Sequence, residues 1–309
     1  MFKRRACKRT FKQFVRPLIL YKLESTGSSL LNSRQVALIT GSNSGIGLAT
    51  SVYLARRGYT VWATMRNLDK ASELRAIVES EKLPIEIAQL DVCDDSSAKN
   101  AVAQILQKSG RIDVLVNNAG YGLRGAIEEV SLDEWKQQFE TNFFGVIRVT
   151  QAVLPQMRAQ NSGAIVNISS VLGRMAIPFS GPYVASKFAL EGLTETLRYE
   201  LAPWNIKVIL IEPGFIATKF QENAQLAQAA QRDDSPYAVF KKASGRRVQR
   251  NIYRAAPPEK VAETIYRAIT HPTPKLRYAV GRDAWLVLPL RRFLPAGLFE
   301  RILKKQLGL

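Results

Sequence analysis

Two side chains one helical turn apart offer the first chemistry in this chain. In "GPYVASKFAL" (181–190) Tyr183 precedes Lys187 by four residues, and on a helix such a pair shares one face. A phenol beside a cation can carry a proton to or from a reacting oxygen, provided its pKa, about 10 when free, is brought within reach. An enzyme built from this sequence needs such a device, because it holds one histidine, His271, and two cysteines, Cys7 and Cys93. That composition argues against a Ser-His-Asp triad, a histidine-ligated zinc site and a disulfide framework, and no metal site is expected. So few cysteines suit a reducing, cytoplasmic setting.

The spacing alone proves little, since "YAVFK" repeats it at Tyr237 and Lys241. The surroundings separate the two copies. Ser170 stands thirteen residues before Tyr183, at the end of an expected strand, and Asn142 lies on the helix before that strand; thirteen residues before Tyr237 is Ala224. A serine hydroxyl at that place can hold a substrate oxygen as charge develops on it.

A second device lies near the start of the folded region. The run "QVALIT" ends in "TGSNSGIG" (40–47), whose Gly41, Ser44, Gly45, Ile46 and Gly47 form a turn that opens a helix. Glycines there let the backbone approach a pyrophosphate, and the helix offers its positive N-terminus. At the end of the next strand, "WATMRN" holds Arg66 and no acid. An acid there would bind a ribose 2′-hydroxyl, whereas an arginine pairs with a 2′-phosphate, so NADP(H) is favoured over NAD(H). Asp69, three residues on, argues the other way.

The elements that position these groups follow a regular rhythm. Strands are expected at 35–40, 60–64, 85–91, 112–120, 163–170 and 206–214, with helices at 45–58, 68–80, 95–109, 131–160 and 182–202 between them. Apolar strands alternating with helices mean βαβ units. The fold class is therefore α/β, a Rossmann-type doubly wound parallel sheet flanked by helices, in a single domain. Residues 215–256 are too long for an ordinary connection and are expected to form a substrate lid. A helix at 257–270 and a last strand at 275–281 would close the domain, which runs over 35–281.

With these residues in place, the chain resembles the short-chain dehydrogenase/reductase family in its shorter, non-extended branch. The resemblance covers roughly 35–281 and rests on "TGSNSGIG", "LDV" (90–92), "NNAG" (117–120), Asn142 in "TNFFG", "NISS" ending at Ser170, "YVASK" (183–187) and "PGFIAT" (213–218), all in the family's order. It implies an NAD(P)-dependent oxidoreductase whose catalytic residues are Asn142, Ser170, Tyr183 and Lys187. Lys187 would hold the nicotinamide ribose and help to lower the pKa of Tyr183, and Asn142 would position a water in a proton relay. The resemblance also implies Asp91 at the adenine, Asn118 at the adenosine ribose, Ile216 and Thr218 at the carboxamide, and Gly120 and Pro213 among the cofactor contacts. The tyrosine region is most similar to hydroxysteroid and retinol dehydrogenase-like members, which implies a lipophilic small-molecule substrate and a homodimer or homotetramer. A 3-oxoacyl thioester reductase and a non-catalytic dinucleotide sensor are the alternatives.

The net charge of +18 sits at the two ends. Residues 1–36 carry +8 and residues 241–309 carry +12, while 37–240 carry −2. That distribution disfavours a nucleic-acid face on the folded module. Residues 1–34 read as a basic N-terminal extension without regular periodicity. Residues 282–309 form a basic amphipathic tail with no run long enough to span a bilayer, suited either to an anionic membrane surface or to covering the domain or a partner subunit.

Overall fold

Val36–Thr40 (β1) is buried at all five positions, as a strand covered by helices on both sides must be. Its side chains alternate between two layers. Ala37 and Ile39 enter a core shared with Leu54, Val261 and Ile265, while Val36 and Leu38 enter one shared with Ile105, Val149 and Met157. The computed structural model describes residues 34–232, 234–238 and 255–307. The chain divides into two units, Met1–Ser33 and Arg34–Leu309, and everything below concerns the second. The expected N-terminal extension, the later part of the lid and Lys241 lie outside the described residues.

From β1 the chain turns into α1 (Gly45–Arg56) and returns as β2 (Thr60–Met65), parallel to β1 with Val36 opposite Thr60. A 3-10 turn at Leu68–Ala71 leads into α2 (Ser72–Glu81), so the expected helix at 68–80 begins one turn late. β3 (Ile85–Gln89) forms one edge of the sheet. The chain then crosses through α3 (Asp95–Ser109) to β4 (Val114–Asn117) on the other side of β1.

The expected helix over 131–160 is three pieces: α4 (Leu132–Phe139), a π-helical turn at Glu140–Phe144, and α5 (Gly145–Ala159). α4 starts at a capping box in which Ser131 accepts from the Glu134 N–H while Glu134 accepts from the Ser131 N–H. Between β4 and α4 the short strand β5 (Leu123–Arg124) appears. Next come β6 (Gly163–Ile168), α6 (Gly181–Leu201) and β7 (Ile206–Pro213). β8 (Gln225–Leu226) lies in the 215–256 segment, the expected lid, and pairs with β5 in a separate two-stranded sheet. α7 (Pro258–Thr270), which packs on α1, leads to β9 (Arg277–Val280) at the far edge. The tail forms two helices, α8 (Arg282–Phe293) and α9 (Ala296–Leu307).

The seven-stranded sheet runs β3-β2-β1-β4-β6-β7-β9, and every pairing is parallel. This is the expected Rossmann-type doubly wound sheet. Strand order reverses between β1 and β4, and sheets of this kind bind ligands in the crevice outside the carboxyl ends of the strands at that point.

Candidate active site

The glycine turn sits in that crevice. Gly41 (φ +68°) and Gly45 (φ +56°) adopt left-handed backbone that other residues reach only with strain. Gly47 faces the turn so closely that a Cβ would overlap the Gly41 carbonyl oxygen and lie 2.5 Å from Asn118 Nδ2. Asn118 explains the closeness: its Nδ2 donates to the carbonyls of Thr40 (2.9 Å) and Gly41 (3.0 Å). Thr40 Oγ1 in turn accepts the N–H groups of Asn118 and Ala119. Ser44, the N-cap of α1, makes no side-chain cap bond, and no acid occupies the first turn. The leading N–H groups of α1 are therefore left for an anion, which fits a dinucleotide pyrophosphate.

The other expected cofactor residues lie on several elements. Thr218 packs against Gly45, Ile216 is half-buried and bridges to Ala256, and Pro213 is buried at the end of β7. Gly120 lies exposed beside Asn142. Ile46 is half-buried against the first core layer. Asp91, after β3, accepts the Cys93 N–H at 2.9 Å and keeps its carboxylate half-buried. Arg66 is exposed just past β2, and no carboxylate among the described residues pairs with it; Asp69 is exposed in the following turn.

α6 carries the expected tyrosine and lysine. Pro182 sits in its first turn, where a missing N–H costs nothing. Tyr183, Lys187 and Glu191 then follow on successive turns of one face. Lys187 Nζ donates to the Ile168 carbonyl at 2.7 Å and lies 5.7 Å from the centroid of the Tyr183 ring. Ser170, just beyond β6, accepts the Leu172 N–H at 3.1 Å and hydrogen-bonds Tyr183. Phe220, in the segment expected to form a lid, tilts against the Tyr183 ring at 5.7 Å between centroids.

Burial shifts both ionisable groups toward their neutral forms. Tyr183 keeps part of its surface open, yet the crowding of its phenol pushes the pKa up to about 12, with only the Ser170 bond opposing. Lys187 is drawn down to about 8 by burial, against the attraction of Glu191. The expected lowering of the Tyr183 pKa by Lys187 is thus not the net outcome within the protein itself, because desolvation dominates.

Asn142 lies buried in the π-helical turn, a feature often found at functional sites. Its Nδ2 donates to the Tyr121 carbonyl (2.9 Å) and its Oδ1 accepts the Tyr121 N–H (3.1 Å), while Ser186 Oγ lies 3.4 Å away. The side chain clamps the loop after β4 instead of reaching into open space. The second tyrosine, Tyr237, is hydrogen-bonded to Glu128 and sits 6.0 Å from Phe179 between ring centroids, apart from this group.

One cluster next to the site escaped sequence reasoning. Glu191 accepts from Ser169 Oγ (2.6 Å) and from Arg277 Nε (2.9 Å). Arg277 also approaches Glu195 and Glu212, and Glu212 pairs with Arg174 at 3.1 Å. Ser169 adjoins Ser170, so its hydrogen bond to Glu191 ties the serine to the tyrosine helix. The step of four from Lys187 to Glu191 was visible; nothing local announces Arg277 on β9. Among the described residues no group of three His, Cys, Asp or Glu could hold a metal ion.

A short chain dehydrogenase family model matches residues 35–229. The chain belongs to the short-chain dehydrogenase/reductase family. It is an NAD(P)-dependent oxidoreductase by that membership, and its relatives agree. The uncharacterized oxidoreductase YusZ of Bacillus subtilis (strain 168) is 39% identical, covering 89% of this chain and 99% of YusZ. A 3-ketodihydrosphingosine reductase of Bacteroides thetaiotaomicron is 37% identical over 80% and 88% of the two chains. Retinol dehydrogenase 8 of Bos taurus is 38% identical over 87% and 88%. Among solved structures, a short-chain dehydrogenase from Streptomyces avermitilis superposes with a TM-score of 0.76 at 34% identity, over 89% of this chain and 96% of that one. Family members bind either nucleotide. One from Burkholderia phymatum holds NAD (TM-score 0.74, 26% identity, 84% and 92% covered), and a serine dehydrogenase holds NADP+ (TM-score 0.68, 26% identity, 80% and 94% covered).

Proposed function

We propose that this enzyme transfers hydride between NADP(H) and the carbonyl or alcohol of a lipophilic substrate, with Tyr183 moving the proton. The observation that carries the reading is the crowded Tyr183 phenol, bonded to Ser170, one turn from Lys187 and beneath Phe220 of the lid. Gly41, Ser44, Gly45, Ile46 and Gly47 with the α1 N-terminus would hold the pyrophosphate, Arg66 the 2′-phosphate, Asp91 the adenine, and Asn118 and Gly120 the adenosine ribose. Lys187 would hold the nicotinamide ribose, and Pro213, Ile216 and Thr218 the carboxamide. When bound, the nicotinamide supplies or accepts the hydride and, oxidised, adds a positive charge that favours the phenolate.

In reduction, the Tyr183 hydroxyl gives its proton to the carbonyl oxygen while the Ser170 hydroxyl donates a hydrogen bond to the same atom. The Lys187 ammonium favours the phenolate left behind and stands on the path by which it is reprotonated. Asn142 would position a water in that relay, and its own side chain is held by the Tyr121 backbone. The lipophilic substrate is supported by two relatives whose names specify retinol and 3-ketodihydrosphingosine. NADP(H) is supported by Arg66 and the lack of an acid at the end of β2. Exposed Phe144, Phe188 and Tyr199 on the π-helical turn and α6 support a homodimer or homotetramer joined through the long helices.

The test is a screen of the purified protein with NADPH and NADH against retinal, long-chain 3-ketones, ketosteroids, simple aldehydes and 3-oxoacyl thioesters. Lipophilic ketones or aldehydes should turn over with NADPH. Tyr183→Phe should lower kcat by about 10³-fold while leaving nucleotide affinity nearly intact. Arg66→Ala should weaken NADPH about tenfold and spare NADH. Tight nucleotide binding with no turnover of any substrate would replace this reading with that of a dinucleotide sensor.

A further inference from the structure

Six of the thirteen large apolar side chains exposed among the described residues lie on the last two helices. On α8, Trp285 (70% exposed), Leu286, Leu290 and Phe293 (77% exposed) share one face, spanning about 140° of arc at helical spacing. Ala284, buried, and Leu288, half-buried, occupy the other side and hold the helix to the domain. On α9, Leu298 and Ile302 stand one turn apart and exposed, flanked by Arg301 and Lys305. Arg291 joins the two helices by lying over the Phe299 ring, 5.4 Å from its centroid.

The charge on this pair is one-sided. Arg282, Arg291, Arg292, Arg301, Lys304 and Lys305 are all exposed, against two acids, both engaged. Asp283 accepts the Phe215 N–H at 2.8 Å, and Glu300 pairs with Lys304 at 2.7 Å. A second copy meeting this face across a two-fold axis would bring like charges together. An anionic surface that also accepts apolar side chains matches both features, and a bilayer containing acidic lipids is such a surface.

The pair is rooted beside the site. The Asp283 carboxylate packs against Gly214 and holds Phe215, where the lid begins, and α8 contacts the Val171–Gly173 turn that follows Ser170.

We propose that α8 and α9 seat the enzyme on an anionic lipid surface, inserting Trp285, Leu286, Leu290 and Phe293 among the acyl chains, so that substrate reaches the site from the bilayer. The docking stands on the geometry and charge of the helices; the delivery of substrate rests on the lipophilic reading above.

The full chain is tested against vesicles of phosphatidylcholine alone and of phosphatidylcholine with about 30% phosphatidylserine, a composition that gives a negative surface potential. The chain has four tryptophans. A blue shift and quenching by brominated acyl chains are expected with the anionic vesicles, and both should vanish in Trp285→Phe. The combined Arg291→Gln, Arg292→Gln, Lys304→Gln, Lys305→Gln variant should bind about tenfold or more weakly, and added salt should weaken the parent chain in the same way. Binding without a Trp285 signal would assign attachment to another part of the chain and overturn the proposal. So would equal binding to both vesicles, no binding, or a Trp285 signal that tracks protein concentration without lipid, which would assign the face to a second copy. Failure to bind while lipophilic ketones still turn over defeats the docking alone. Vesicle binding without turnover of any carbonyl defeats the functional reading and leaves the docking standing.

Discussion

Tyr183 and Lys187 are shifted by the same cause, burial, which disfavours charge on either side chain. The phenol, with a pKa pushed up to about 12, stays protonated throughout the physiological range. Lys187, drawn down from 10.5 to about 8, is an ammonium below that pH and loses its charge as pH rises through it. Reductive kcat/KM should therefore hold steady near neutrality and fall above about pH 8, as measured in a pH–rate profile. Glu191→Gln removes the anion that sustains the Lys187 charge, so the falling limb should move to lower pH while the fold is retained. An unmoved limb would mean that Glu191 only ties elements together. Tyr183, Lys187 and Ser170 were legible because their types and spacing have few other uses in combination. Glu191 was not singled out, since an acid one turn after a lysine is common on any exposed helix, and only packing made this one buried.

At the scale of elements, the glycine turn and α1 act as one device clamped by Asn118. Gly47→Ala would force a methyl onto the Gly41 carbonyl, so the turn must open or the helix must shift. The expected cost is about 1–3 kcal/mol of stability together with at least a tenfold loss of nucleotide affinity, read by thermal melting and by titration. The strands were readable because burial on both faces leaves near-continuous apolar runs. The break within 131–160 was not. A π-helical turn inserts one residue without changing composition, and its consequence, Asn142 turned onto Tyr121, depends on a loop distant in sequence. β5 and β8 are two residues each, too short to show a period, and arise from the lid docking on the β5–α4 region, where Gln228 donates its N–H to Glu134 at 2.8 Å.

For the whole molecule, the outermost strand is held to α6 by charge. Arg277 on β9 serves Glu191 and Glu195 on α6 and approaches Glu212 on β7, whose carboxyl is pushed above its usual range by burial and by Glu191. Arg277→Met would leave Glu191 without its guanidinium inside the protein. Arg277 is partly exposed and Glu191 keeps the Ser169 hydrogen bond, so the cost is about 1–3 kcal/mol and the chemical denaturation midpoint should fall. Turnover measured well below that midpoint should fall as well, because Glu191, which accepts from Ser169 beside Ser170, is then held by one donor fewer.

The sequence by itself determined the sheet, the glycine cradle and the Tyr183–Lys187–Ser170 group, because each is written in local terms: a run, a turn, a spacing. It also confined the excess positive charge to the two ends. Tertiary structure alone decided that the Tyr183 pKa rises, that Asn142 serves Tyr121, that Arg277 reaches Glu191, and that the tail becomes two helices rooted on Asp283. Each of these depends on desolvation or on contacts between residues far apart along the chain, and neither is present until the chain has folded.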